Sequence, residues 1–151
     1  MAPNGEGFLL DPGATSRVTR YAHARITPAS AHRTIHISGI AAVTPDGQYE
    51  GATQNADGSW SLDIREQTAA VLRRIEAIIH GATNGKGGLH NIIDAVIYLT
   101  DMGSQYAGMN EEWNKVFKDC ASAPARATIG VKELPDPRFI VEIKAVAVCE
   151  I

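Results

Sequence analysis

Cysteine is scarce in this chain: two in 151 residues, Cys120 and Cys149, far apart and outside any CxxC spacing. That pattern supports neither a disulfide framework nor a zinc knuckle, and a reducing compartment is the default. Long apolar runs are missing as well. No stretch approaches the roughly 20 residues that a membrane helix needs. The opening MAPNGEGFLLDPGATS has no charged region followed by a long apolar one, so it does not read as a signal peptide. A soluble, cytoplasmic protein without membrane contact is expected. Positive charge is thin: 14 Lys and Arg against 17 Asp and Glu leave a net −3, with no basic cluster. Phosphate backbones call for clustered cations, so nucleic acid is not an expected partner. Missing motifs narrow the chemistry further. No Gly-x-Ser-x-Gly elbow supports serine hydrolysis. The string Asn84-Gly85-Lys86-Gly87-Gly88 lacks the Gly-Lys-Ser/Thr of a phosphate loop. The five histidines show neither HExxH nor His-x-His spacing, so no metal site is expected.

What is present suits one domain spanning 1–151, with 44% apolar and 21% charged residues. Residues 1–16 read as an irregular lead-in. Strands are expected at 17–26, 33–43, 92–99, 126–132 and 138–149. Gly39, inside one of them, suggests a bulge or a close backbone approach by a ligand. Residues 44–61 carry Asp46-Gly47 and Asp57-Gly58 and form an extended loop or hairpin. The clearest helix is 63–80. Ile64, Thr68, Val71, Leu72, Ile75, Ile78 and Ile79 recur at spacings of three and four, Asp63 is placed to cap, and Gly81 to stop. A second helix, 104–118, puts Tyr106, Met109, Trp113, Val116 and Phe117 on one face. Two helices cannot cover both faces of such a sheet, which predicts an α+β sandwich with both helices on one side. The other face, carrying Ile140, Val146 and Val148, then needs a partner, so an oligomer is expected.

The last thirty residues hold the chemistry. Arg126 opens one apolar strand, and Glu142 interrupts the apolar run FIVEIKAVAV. If these strands lie side by side, a cation and a carboxylate meet in an apolar place. A guanidinium can grip a substrate carboxylate with two parallel hydrogen bonds, and a carboxylate can hold and polarise water. That combination suggests hydrolysis of a small organic acid. The blander readings are a strand-capping Arg and a Glu142 paired with Lys144 two residues on. Thr128 shares the strand face of Arg126 and could add a hydroxyl. Tyr21, Ser38, Gly39 and Asn110 offer a phenol, a hydroxyl with a backbone amide, and a carboxamide.

These strings together resemble the Rid (YjgF-like) family of imine and enamine deaminases. The anchors are Ile37-Ser38-Gly39, Gln67-Thr68, Val96 to Met102, Asn110-Glu111, Pro124-Ala125-Arg126, Leu134-Pro135 and Val141-Glu142-Ile143, from about Tyr21 to the C-terminus. Within the family the chain looks most like the 2-aminomuconate deaminase branch, through the longer loop before the helix, Leu62 to Thr68, and Leu134-Pro135-Asp136-Pro137. The resemblance implies a chorismate-mutase-like fold, a mixed sheet with two helices on one face, and a homotrimer with active sites in the clefts between subunits. It implies no cofactor. Arg126 matches the Arg that binds the substrate carboxylate and Glu142 the Glu that handles water; Tyr21, Ser38, Gly39 and Asn110 align with pocket positions. Two departures stand out: Thr128 where many members carry Cys, and Ile40 in place of the Gln of Ser-Gly-Gln. The expected activity is hydrolytic deamination of a 2-enamine or 2-imine acid such as 2-aminomuconate. The alternatives are a general 2-imino acid deaminase and a non-enzymatic, small-acid-binding or chaperone-like trimer. A dicarboxylate needs a second anchor, for which Asn110, Arg20 and Arg138 are candidates.

Overall fold

The computed structural model describes residues 2–10 and 22–150. These form β1 (Glu6–Phe8), β2 (Ala24–Ile26), β3 (His32–Ile40), β4 (Ala52–Gln54), β5 (Trp60–Leu62), α1 (Ile64–Ala82), β6 (Ile92–Leu99), α2 (Met102–Val116), β7 (Ala125–Gly130) and β8 (Val141–Glu150). The main sheet has the order β3-β8-β6-β7. Strand β8 runs antiparallel to both β3 and β6, whereas β6 and β7 are parallel. A parallel pair needs a crossover, and α2 supplies it.

Alternation along β8 sets the layers. Val141, Ile143, Ala145 and Ala147 are buried, while Glu142 and Lys144 point to the opposite face. The buried set meets Val71, Ile75 and Ile79 of α1 and Met109 and Trp113 of α2 in one core cluster. Both helices therefore lie on one face of a mixed sheet, the α+β architecture expected from the sequence. Asp63 caps α1 as expected, its Oδ1 accepting the backbone N–H groups of Arg65 and Glu66 at 2.8 and 2.9 Å.

Several local expectations need correction. Residues 1–16 are not wholly irregular, because Glu6–Phe8 pairs antiparallel with Ala24–Ile26 in a separate two-stranded sheet. The strand expected at 17–26 is thus seen only as β2, which takes no part in the main sheet. The extended loop is a hairpin of β4 and β5 around Asn55–Ser59. Gly81 does not stop α1. The helix runs to Ala82, and Thr83 ends it by returning its backbone N–H and its hydroxyl to Ile79 O. Tyr106 is 43% exposed, off the core face of α2. On the helix-free face, Val148 is buried and Ile140 packs against the core cluster. That leaves half-buried Val96, Tyr98 and Val146 and 44%-exposed Ile129 as its apolar surface. No helix among the described residues is long and apolar enough to cross a membrane.

Candidate active site

Arg126 and Glu142 are not neighbours in one copy of the chain. Strand β6 separates the strands that carry them, because β8 pairs with β6 rather than with β7. In register, Arg126 matches Ala95 and Ala95 matches Ala145, whereas Glu142 matches Tyr98. The two residues are therefore about 10 Å apart across two strand spacings and about 10 Å apart along the strands. They also occupy opposite faces. Ala95 is buried under the helices, so its register partner Arg126 points to the helix side. Glu142 and Tyr98 share the helix-free face.

On the helix side, α2 builds the setting of Arg126. Asn110 and Trp113, one turn apart, face β7 together. Arg126 Nη1 donates to Asn110 Oδ1 at 2.8 Å, and the guanidinium carbon lies 5.2 Å from the centre of the Trp113 ring. Trp113 is 2% exposed, so Arg126 rests on a rigid aromatic floor. Thr128 lies on the same face, as its spacing indicates. Its buried hydroxyl has no hydrogen-bond partner among the described residues. Arg126, Asn110 and Thr128 thus come together at the edge strand.

On the other face, Gly39 comes together with Glu142. The β3–β8 register shifts between Ile37 and Ile40, the bulge that Gly39 suggested. A side chain at Gly39 would put its Cβ 2.9 Å from Glu142 Cδ and closer still to Oε1. The close approach at Gly39 is therefore made by Glu142 itself, whose side chain fills the space a Cβ would take. Among the described residues Glu142 forms no ion pair with Lys144, which removes the salt-bridged reading of that strand. Tyr21 and Arg20 lie outside the described residues.

Arg138, a candidate second anchor, is already engaged. Its side chain grips Asp136 through Nε–Oδ1 at 2.8 Å and Nη2–Oδ2 at 2.6 Å, and it stacks 3.6 Å from the Tyr49 ring centre. The Tyr49 hydroxyl donates to Asp136 Oδ2 at 3.0 Å and accepts from Arg138 Nη2 at 2.7 Å. These bonds, those from Arg138 foremost, hold the Asp136 carboxyl well below the usual carboxylate range. The same Asp136 contact raises the Tyr49 phenol above its ordinary value. Among the described residues, no group of three or more His, Cys, Asp or Glu could hold a metal ion.

A family model described as Endoribonuclease L-PSP matches residues 14–149. The chain belongs to that family. A RutC family protein of Aquifex aeolicus is 38% identical over 85 residues, covering 56% of this chain and 64% of the relative. The chain spans less than two thirds of the length of the curated relatives it matches. Among solved structures, YyfB of Yersinia pestis, a Rid-family protein of unknown function, superposes with a TM-score of 0.67 at 23% identity over 86% of both chains. Rv2704 of Mycobacterium tuberculosis, from the YjgF/YER057c/UK114 family, gives 0.57 at 26% identity over 84% of this chain and 85% of that one. The resemblance read from the sequence holds for the family and the fold.

For this member of the L-PSP family, sequence reading missed three features near the candidate residues. Trp113 beneath Arg126 looked like a core aromatic, which it also is. The Asp136-x-Arg138 spacing was a visible signal for a self-contained ion pair. Gln67, named above only as a family anchor, is with Thr68 a buried polar residue on an apolar helix face.

Proposed function

We propose that this chain is a cofactor-independent hydrolytic deaminase of 2-enamine and 2-imine acids, with 2-aminomuconate as substrate, working as a homotrimer. The observation that carries the reading is the placement of an oriented guanidinium at an edge strand and a carboxylate on the open sheet face. A heterologous ring contact joins unlike surfaces of neighbouring copies. It can bring the Arg126 edge of one copy onto the Glu142 face of the next, with Val96, Tyr98, Val146 and Ile129 supplying apolar contact. The cleft so formed holds the cation and the carboxylate that the chemistry needs.

In the proposed mechanism Arg126 forks onto the C1 carboxylate, oriented by Asn110 and Trp113. A proton shift from nitrogen to carbon converts the enamine to the imine. Glu142 takes a proton from water as the water oxygen bonds to C2 and passes it to the nitrogen, giving a carbinolamine. The proton of the new hydroxyl then moves through Glu142 to the nitrogen as the C2–N bond breaks, so ammonia leaves with a 2-oxo acid behind. From 2-aminomuconate the product is 4-oxalocrotonate. Thr128 stands beside Arg126 with its hydroxyl buried, and Gly39 leaves the space in which Glu142 sits.

A second reading, a general 2-imino acid deaminase, is favoured by one observation. Arg138, the one charged candidate among the described residues for anchoring a second carboxylate, is already bound to Asp136. RNA cleavage, named in the family's description, suits this chain less well given its net charge of −3. The test is ammonia release from freshly generated 2-aminomuconate and from 2-iminobutyrate, by wild type and Arg126→Ala. Preferential, Arg126-dependent turnover of 2-aminomuconate supports the proposal, and faster turnover of 2-iminobutyrate supports the second reading. Turnover of neither moves the weight to a small-acid-binding trimer.

A further inference from the structure

Among the described residues the Glu142 carboxylate makes no hydrogen bond, so its place depends on the strand that carries it and on the space left by Gly39. The residues leading into that strand are held unusually firmly. The Arg138 N–H donates to Asp136 Oδ1 at 2.9 Å, and the Phe139 N–H to Asp136 O at 3.0 Å. Gln67 takes the rest. Its Nε2 donates to Arg138 O at 2.7 Å and to Gly51 O at 3.2 Å, and its Oε1 accepts the Ile140 N–H at 3.0 Å. Gln67 is fully buried, and all three bonds run to backbone of other segments. It ties α1, the hairpin insert and the start of β8 into one joint. Gly51 is tailored to that joint: its φ of +63° favours glycine, and a Cβ there would lie 2.7 Å from Gln67 Cγ. Tyr49 closes the insert from its other side. Its ring lies 5.5 Å from Phe139 and beneath Arg138, and its hydroxyl bridges Asp136 and Arg138.

We propose that Tyr49 and Gln67 are positioning residues for Glu142, bolting the insert of residues 44–62 onto residues 138–140 and so setting where the carboxylate stands against Gly39. This rests on the reading of Glu142 as the group that handles water. The Tyr49–Asp136–Arg138 cluster lies outside the core cluster that holds Ile75, Ile97 and Ile143 together. Loosening it shifts the start of β8 without unfolding the domain. A displacement of about 1 Å at a catalytic group costs on the order of 100-fold in rate, so even a partial shift is measurable.

The test uses the full chain with Tyr49→Phe, which keeps the ring and removes the hydroxyl, and Gln67→Met, which keeps the length and removes the amide. On whichever substrate wild type turns over, both variants should lose roughly tenfold in kcat with KM within about twofold. Unchanged kcat, or a matching rise in KM, overturns the proposal. Should Gln67→Met fail to fold, Tyr49→Phe carries the test alone. Should wild type turn over neither acid, the deaminase reading fails, and positioning is judged by carbon-13 NMR of the Glu142 carboxyl. A shifted resonance in Tyr49→Phe, with amide exchange accelerated over 138–143, supports positioning; a spectrum identical to wild type overturns it.

Discussion

Arg126 and Glu142 lie two strands apart and on opposite faces of one sheet, so no single copy of the chain brings them together. Assembly is therefore part of the proposed chemistry. The apolar residues left on the helix-free face and at the β7 edge are the contact this requires. Ile129, 44% exposed at that edge, is the most accessible of them. Ile129→Lys should convert the proposed trimer to monomers in analytical ultracentrifugation and abolish the proposed turnover while the far-ultraviolet circular dichroism stays native. A variant that remains trimeric and active contradicts this use of the edge.

Gly39 leaves the space that Glu142 occupies. In Gly39→Ala the added methyl must push the flexible Glu142 side chain aside, since Cδ would lie at 2.9 Å. The fold should survive, because the neighbour that gives way is a side-chain end. Steady-state kinetics should show kcat reduced by roughly tenfold or more, with KM little changed. Wild-type kcat in this variant would show that the position of Glu142 against β3 does not matter.

Acid should act through Asp136. Its carboxyl is held well below the usual range, first by the Arg138 side chain and then by the Arg138 backbone N–H. The unfolded chain protonates this group near pH 4, before the folded chain does. The stabilisation is thus fully present above about pH 4 and is lost progressively as pH falls further. Between pH 6 and 2 the wild-type Tm should drop more than that of Asp136→Asn. Parallel Tm profiles would mean the cluster contributes nothing to stability.

The N-terminal segment is locked by Asn4, which is fully buried. Its Nδ2 donates to Ile92 O at 2.8 Å and Ser122 O at 2.9 Å, and its Oδ1 accepts from Arg25 Nη2 at 2.7 Å. Arg25 in turn reaches Gly5 O, Ala121 O and Ala123 O. Asn4→Ala leaves buried carbonyls unpaired and should cost about 1–3 kcal/mol in urea unfolding. A loss within a few tenths of a kcal/mol would show that water replaces the side chain.

The helices were legible in the sequence because their signals are local. The spacing of Ile64, Val71, Ile75 and Ile79 fixes the buried face of α1, and Asp63 fixes its start. Strand order was not legible, because pairing is decided by contacts far apart in sequence. Nothing in Arg126 or Glu142 announces that β6 will lie between them. For the same reason Tyr49 and Arg138, 89 residues apart, gave no sign of meeting. Gly39 shows the middle case: a glycine inside a strand signals a bulge, which is there, or a close approach by a ligand, whereas the approach is made by the chain's own Glu142. The Arg126–Asn110–Thr128 and Gly39–Glu142 groupings follow from tertiary packing that the strand pattern alone leaves open.

The most direct measurement mixes two inactive variants. Arg126→Ala and Glu142→Gln, each purified, are unfolded, combined in equal amounts and refolded, and ammonia release is then read. If each site takes Arg126 from one copy and Glu142 from the next, about a quarter of the sites in random trimers carry both native residues. Activity should return to about that fraction of wild type. Mixed trimers as inactive as the separate variants would contradict a shared site.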